Sequence, residues 1–148
     1  MSQFNILPMS EDNVRQVADI EAECFTSPWS YDAFLGELSN PVSQTWVAVS
    51  EDGTAVGFLN AYFVLDEASL NNIAVKEAWR GQGVGSLLME TAITYCEEQK
   101  MHTFTLEVRK SNLPAIKMYD KLGFQKVGER KNFYTLPDED ALLMAKKL

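Results

Sequence analysis

LNNIAVKEAWRGQGVGSLLMETAITYCEEQK, residues 70–100, reads as a strand, a glycine loop and a helix in succession. LNNIAV supplies the strand. Val84, Leu87, Leu88, Thr91, Ala92 and Tyr95 then fall on one helical face. Between them Arg80-Gly81-Gln82-Gly83-Val84-Gly85 opens the helix, so consecutive backbone N–H groups and the positive end of the helix dipole converge on one small volume. In physical terms this is a phosphate cradle, where a Cβ would obstruct close backbone approach and penalise positive φ. A surface loop that happens to carry three glycines is the alternative reading of the loop alone. A dinucleotide fits poorly: counted from Gly81 the sixth position is Ser86, and from Gly83 it is Leu88, where the Rossmann fingerprint needs glycine. A nucleoside triphosphate fits poorly too, since no Lys-Ser or Lys-Thr follows the glycines.

The flanks place this unit in an α+β fold. Downstream, TFTLEVR alternates Phe104, Leu106 and Val108 against Thr103, Thr105, Glu107 and Arg109, the pattern of a strand with one polar face. Ser111 or Asn112 caps a following helix, Pro114 fits its first turn, and Gly123 stands where a left-handed cap belongs. FQKVGER and DALLMAKKL are the final strands. Upstream, FNILPM is a short strand, and Ser10 with Glu11 and Asp12 predicts the cap and acidic first turn of a helix to about Phe25, with Glu21 interrupting its apolar stripe. Ser30 recaps a short helix, YDAFLGEL, that stops before Pro41. QTWVAVS and AVGFLNAYFVL form a hairpin about Asp52-Gly53, and DEAS predicts a second turn. With no repeat or linker, residues 1–148 read as a single domain with a mixed sheet.

Composition narrows the partners. The 148 residues are 46% hydrophobic, enough for one core. The 13 Lys+Arg against 21 Asp+Glu give a net charge of −8, which repels a polyanion and suits a cationic substrate, so no direct nucleic-acid contact is expected. Cys24 and Cys96 form no CxxC and His102 is the single histidine, so neither a disulfide framework nor a metal site is indicated and both thiols read as small buried hydrophobes. His102 is read as a loop or strand-edge residue. The start MSQFNILPMSEDN has no signal-peptide pattern and no long uncharged apolar run occurs, so a cytoplasmic chain without membrane contact is expected. The oligomeric state stays open between a monomer and a weak dimer.

Arg80-x-x-Gly83-x-Gly85 after Asn72-Ile73-Ala74-Val75 resembles the acetyl-CoA signature of the GCN5-related N-acetyltransferases (GNAT). Asn112-x-x-Ala115-x-x-x-Tyr119-x-x-x-Gly123-Phe124 is similar to the second signature of that superfamily. The resemblance implies a GNAT-like fold, a central mixed, mostly antiparallel sheet flanked by about four helices. It also implies acetyl-CoA as co-substrate, held by Ile73, Ala74, Val75, Arg80, Gly81, Gln82, Gly83, Val84, Gly85 and Asn112, with no metal. Pro28-Trp29-Ser30, Asp66-Glu67-Ala68, Leu106-Glu107-Val108-Arg109 and Arg130-Lys131-Asn132-Phe133-Tyr134 together resemble the ribosomal-protein-alanine N-acetyltransferases, which acetylate the N-terminal alanine of a small-subunit ribosomal protein. Phe133 departs from that subfamily, where tyrosine is common. The partner so implied is the N-terminus of a basic ribosomal protein, with Glu67 and Tyr134 contacting substrate.

An α-ammonium group, with a pKa of about 7.7 to 8.0, must lose a proton before attacking a thioester, so a general base is required. The resemblance assigns that role to Glu107, directly or through water; the residue pattern alone equally describes a solvated carboxylate. Expulsion of a thiolate is aided by a positioned hydroxyl, for which Tyr119 is the candidate acid, although its spacing also fits a core tyrosine. By the same resemblance an unpaired edge at Ile73–Val75 hydrogen-bonds the pantetheine amides and stabilises an oxyanion, whereas Ile-Ala-Val alone reads as core. Asn112 caps the helix, contacts the cofactor, or does both. Neither cysteine has a histidine at a catalytic spacing, so direct transfer in a ternary complex is expected. Glu67 with Asp138, Glu139 and Asp140 either steers a basic substrate or maintains solubility. Transfer to a small amine or lysine, and a non-catalytic acyl-CoA-binding module, are the competing readings.

Overall fold

The structure, a computed structural model, describes residues 3–148. Its central hairpin pairs β2 (Ser43–Ser50) with β3 (Ala55–Val64). At the bend the Asp52 carboxylate accepts from the Ser50 hydroxyl and the Thr54 N–H, and Gly53 has φ +88°. The first seven residues of β3 are buried on both faces because helices cover both sides of the sheet. On one side α1 (Val14–Cys24) and α2 (Tyr31–Glu37) cover Val47, Val49, Phe58 and Ala74. On the other, α3 (Val84–Glu98) and α4 (Leu113–Lys121) pack with Leu59, Phe104, Leu106, Phe124 and Met144.

Seven strands run in the order β1-β2-β3-β4-β5-β7-β6, with β1 Phe4–Pro8, β4 Glu67–Val75, β5 Thr103–Arg109, β6 Gln125–Tyr134 and β7 Glu139–Lys147. Every neighbouring pair is antiparallel except β4 and β5. That parallel pair is joined only at Glu67–Thr103, Ala68–Phe104 and Ser69–Thr105. Beyond Ser69 the strands part, leaving one edge of β4 from Leu70 to Val75 open toward a cleft. A register shift after Asn60 inserts Asn71 as an extra residue in β4. Asn60 holds it: buried completely, it accepts from the Asn71 amide at 2.9 Å and donates to the Ser43 and Thr45 hydroxyls.

Local signals hold in the second half. The Asn112 Oδ1 accepts from the Ala115 N–H at the start of α4, Pro114 sits in the first turn, and Gly123 has φ +96°. Three expectations are corrected. First, α1 begins at Val14, because Asn13 Oδ1 accepts from the Ser10 N–H and Ser10 Oγ from the Asp12 N–H; that turn competes with the helix, so Glu11 and Asp12 precede its first turn. Second, the turn before β4 is only Leu65-Asp66, since Val64 pairs directly with Glu67 and the last three residues of DEAS, Glu67 to Ser69, are drawn into the sheet. Third, α3 buries Val84, Leu88, Met89, Ala92 and Cys96, a face rotated from the expected one, and Leu87 is 36% exposed. Cys24 is half-buried rather than buried.

The α2 cap is as read: the Ser30 hydroxyl accepts from the Ala33 N–H at 3.1 Å. Ser30→Ala is expected to lower unfolding free energy by about 1 kcal/mol, seen as a lower denaturant midpoint at unchanged slope.

Candidate active site

The glycine loop leads from the end of β4 into α3 through a single 3-10 turn at Glu77–Trp79 that the sequence pattern did not show. Gly81 and Gly83 adopt φ +78° and +86°, and a Cβ on either meets nothing within 4 Å, so their need is conformational and the space above them is free. The first α3 amide to reach a backbone acceptor outside the helix body is that of Leu87, bonded to Gly83 O, so the α3 amides before it have no backbone acceptor among the described residues, as at any helix start. Gly85 serves another purpose: its Cβ would stand 3.4 Å from the sulfur of Met118, which reaches it from α4. Gln82 bonds back to Ala78 O, and the Arg80 guanidinium folds onto Val75 O at 3.0 Å and the Cys24 sulfur at 3.6 Å.

Two strands' worth of open backbone face each other across the cleft. Ile73 and Val75 lie on the α3 side of β4, and Asn72 and Ala74 on the α1 side. On β5, Phe104, Leu106 and Val108 join the α3 side, so Glu107 points to the α1 side. The Glu107 side chain is 30% exposed, with Oε1 4.0 Å from Arg130. Its Oε2 is buried and has no hydrogen-bond donor among the described residues. A buried carboxylate oxygen without a donor is expensive, and such an orphan is unusual outside functional sites.

Tyr119 is 3% exposed and packs against Phe124. Burial, with Tyr134 adding to it, pushes its hydroxyl well above the ordinary range, so it stays protonated near neutrality. Tyr134, half-buried, is pushed up to about 12 by burial and the Glu107 carboxylate, against the opposing pull of Arg109. Glu107 thus acts electrostatically on Tyr134, and Tyr134 on Tyr119. Arg109 holds that corner: it lies 4.6 Å from the Tyr134 ring and donates to Pro137 O at 2.8 Å and Thr135 O at 3.0 Å.

Other expected residues stand elsewhere. Glu67 is exposed at the closed end of the strand pair, opposite Thr103, four positions or about 13 Å along the strand from Glu107 at ~3.3 Å per residue. Glu139 and Asp140 are engaged within the fold: Glu139 accepts from Ser111 N–H and Arg109, and Asp140 accepts from Asn132 N–H. Ser111 and Arg109 hold the Glu139 carboxyl below its usual value. His102 is exposed at the start of β5. No group of three or more His, Cys, Asp or Glu suited to a metal occurs among the described residues. No helix there is long and apolar enough to cross a membrane.

Residues 14–124 match the Acetyltransferase (GNAT) family. The chain belongs to that family. A Bacillus subtilis protein named provisionally as a [ribosomal protein bS18]-alanine N-acetyltransferase is 42% identical to this GNAT chain over 137 residues, 92% of it and 90% of the relative. The Escherichia coli [ribosomal protein bS18]-alanine N-acetyltransferase is 37% identical over 128 residues, 85% of each chain. A crystal structure of the ribosomal-protein-S18-alanine N-acetyltransferase from Escherichia coli superposes with TM-score 0.89 at 33% identity, covering 98% of this chain and 94% of the other. The sheet and its four helices are thus those of the GNAT fold, with acetyl-CoA as the donor.

The residues present fit that donor: the GNAT loop offers left-handed glycines, unpaired helix-start amides and free space, and β4 offers an open edge. Gly83→Ala forces an L-residue to φ +86°, at a cost of about 1–2 kcal/mol. Acetyl-CoA affinity should fall roughly tenfold in calorimetry, while Gly53→Ala, strained at the hairpin bend, should leave it unchanged.

Proposed function

We propose that this chain acts in the cytoplasm as one N-acetyltransferase domain, carrying acetyl from acetyl-CoA to the α-amino group of an N-terminal alanine on a small-subunit ribosomal protein. The observation that carries the reading is the donor-free, buried Oε2 of Glu107, on the face of the cleft opposite the side where α3 and its glycine loop lie. The Escherichia coli relative, a [ribosomal protein bS18]-alanine N-acetyltransferase, supports the choice of acceptor.

In this reading Gly81 to Gly85 and the α3 start hold the pyrophosphate, and the open edge of β4 at Ile73–Val75 pairs with the pantetheine amides. Asn112 caps α4 with its side-chain oxygen, accepting from the Ala115 N–H, and its side-chain NH2 contacts the cofactor. Glu107 accepts the proton of the incoming ammonium, directly or through one water. The freed amine attacks the thioester carbonyl, and a β4 backbone N–H steadies the oxyanion. Tyr119 then donates its proton to the departing thiolate as the bond to sulfur breaks, and the nitrogen's second proton, shed as the amide forms, returns to the Tyr119 oxygen directly or through water. Tyr134 contacts the acceptor beside Glu107. Cys96 is buried with its thiol raised to about 11, which leaves it no part as a nucleophile.

An acceptor screen tests this. The kcat/KM for an alanine-led bS18 peptide is expected to exceed those for spermidine and for an α-blocked lysine peptide at least a hundredfold. Equal or greater turnover of either competitor would move the acceptor to a small amine or a side chain.

A further inference from the structure

On the face of the sheet that carries Glu107, one buried carboxylate ties the connection between α1 and α2 to the open edge of β4. Glu21 lies in the apolar stripe of α1 and is only 2% exposed. Its Oε2 accepts from the Trp29 backbone N–H at 2.9 Å, and the Asn72 amide nitrogen stands 2.9 Å from both of its oxygens. No ion pair among the described residues includes it. Burial raises its pKa while Trp29 and Asn72 oppose the rise. A charge placed where leucine would pack costs desolvation, and such costs are met where an arrangement is used.

Both of its partners lie on the α1 side of the sheet, the side to which Glu107 points. Asn72 follows the inserted Asn71, on the stretch of β4 that has parted from β5. It pairs with Asn60 and so shares the face of Ala74 and of Glu107 across the cleft. Trp29 belongs to the six residues, 25–30, between α1 and α2, where Phe25 is 40% exposed and the Trp29 ring leans on Phe34 at 5.3 Å. Resting on the acetyl-transfer reading of the cleft, we propose that Glu21 is a positioning residue that sets the entrance for the acceptor by locking residues 25–30 against the open edge of β4.

The chemistry of the lock singles out the carboxylate. Both of its oxygens receive donors, so glutamine in the same place must turn an NH2 toward the Asn72 amide or the Trp29 N–H. Glu21→Gln is expected to raise the acceptor KM about tenfold, the scale of one lost charge-assisted hydrogen bond. Acetyl-CoA affinity by calorimetry should stay within twofold and kcat within threefold. Amide hydrogen exchange at Trp29 should quicken. The exchanged pair Glu21→Gln with Asn72→Asp restores complementarity, since glutamine then donates to the new carboxylate and accepts from Trp29, and it should recover most of the KM and of the protection. An unchanged acceptor KM in Glu21→Gln would overturn the proposal. So would a loss of acceptor and acetyl-CoA binding together with melting temperature that the exchanged pair does not recover, because that is a purely structural role. If the unsubstituted enzyme fails to acetylate the peptide, the acceptor reading fails by itself, and Trp29 exchange still tests the lock.

Discussion

Replacing Glu107 with glutamine lowers kcat for an alanine-led peptide by about 10²- to 10⁴-fold, the range a positioned general base contributes. The substitution keeps size and shape, removes the charge, and leaves the 4.0 Å approach to Arg130 without its electrostatic part. The glycine loop, proposed to hold acetyl-CoA, leads into α3 on the other side of the sheet, so calorimetric affinity for acetyl-CoA should be nearly unchanged. The orphaned Oε2 is why the expected effect is large: with no donor among the described residues, that oxygen is available to the substrate's proton in the proposed reaction. Raising the pH should narrow the gap between variant and parent, because the α-amine deprotonates on its own above about pH 8. A variant within threefold of the parent at neutral pH would remove Glu107 from the chemistry.

Tyr119→Phe is expected to lower kcat by about 10²-fold, again with acetyl-CoA affinity retained. The ring stays seated against Phe124 and only the hydroxyl is lost. Burial and the neighbouring Tyr134 hold the Tyr119 proton in place across the whole range in which an α-amine titrates, as an acid that must be protonated at the moment of departure requires. Tyr134→Phe removes a second hydroxyl from the same corner and separates the two roles. It should raise the acceptor KM more than it lowers kcat, whereas Tyr119→Phe should do the reverse. Steady-state kinetics on both variants, with peptide and acetyl-CoA varied independently, give the comparison.

What was legible in the chain was what local rules write. The hairpin at Asp52-Gly53, the polar and apolar faces of β5, the Asn112 and Pro114 start of α4 and the two left-handed glycines before α3 each depend on a few adjacent residues. The parting of β4 from β5 after Ser69 depends on partners far away, and only the family resemblance foretold an open edge there. DEAS read as a turn by composition, but sheet pairing overrode that preference from Glu67 onward, and Glu67, given a substrate role only by the family resemblance, stands at the closed end of the strand pair. Glu21 showed itself only as a break in the α1 stripe; its partners lie 8 and 51 positions onward, beyond any spacing rule. Arg109 likewise read as one polar residue of an alternating strand, while its hold on residues 135 and 137 emerges only when β7 folds back beside β5.

The most direct measurement is intact-mass spectrometry of two peptides carrying the bS18 N-terminal sequence, each with an internal lysine, one with a free N-terminal alanine and one with its α-amine blocked. Incubated with enzyme and acetyl-CoA, the free peptide should gain a single acetyl group and the blocked peptide none. Acetylation of both peptides, or of neither while acetyl-CoA still binds, would contradict transfer to the α-amine.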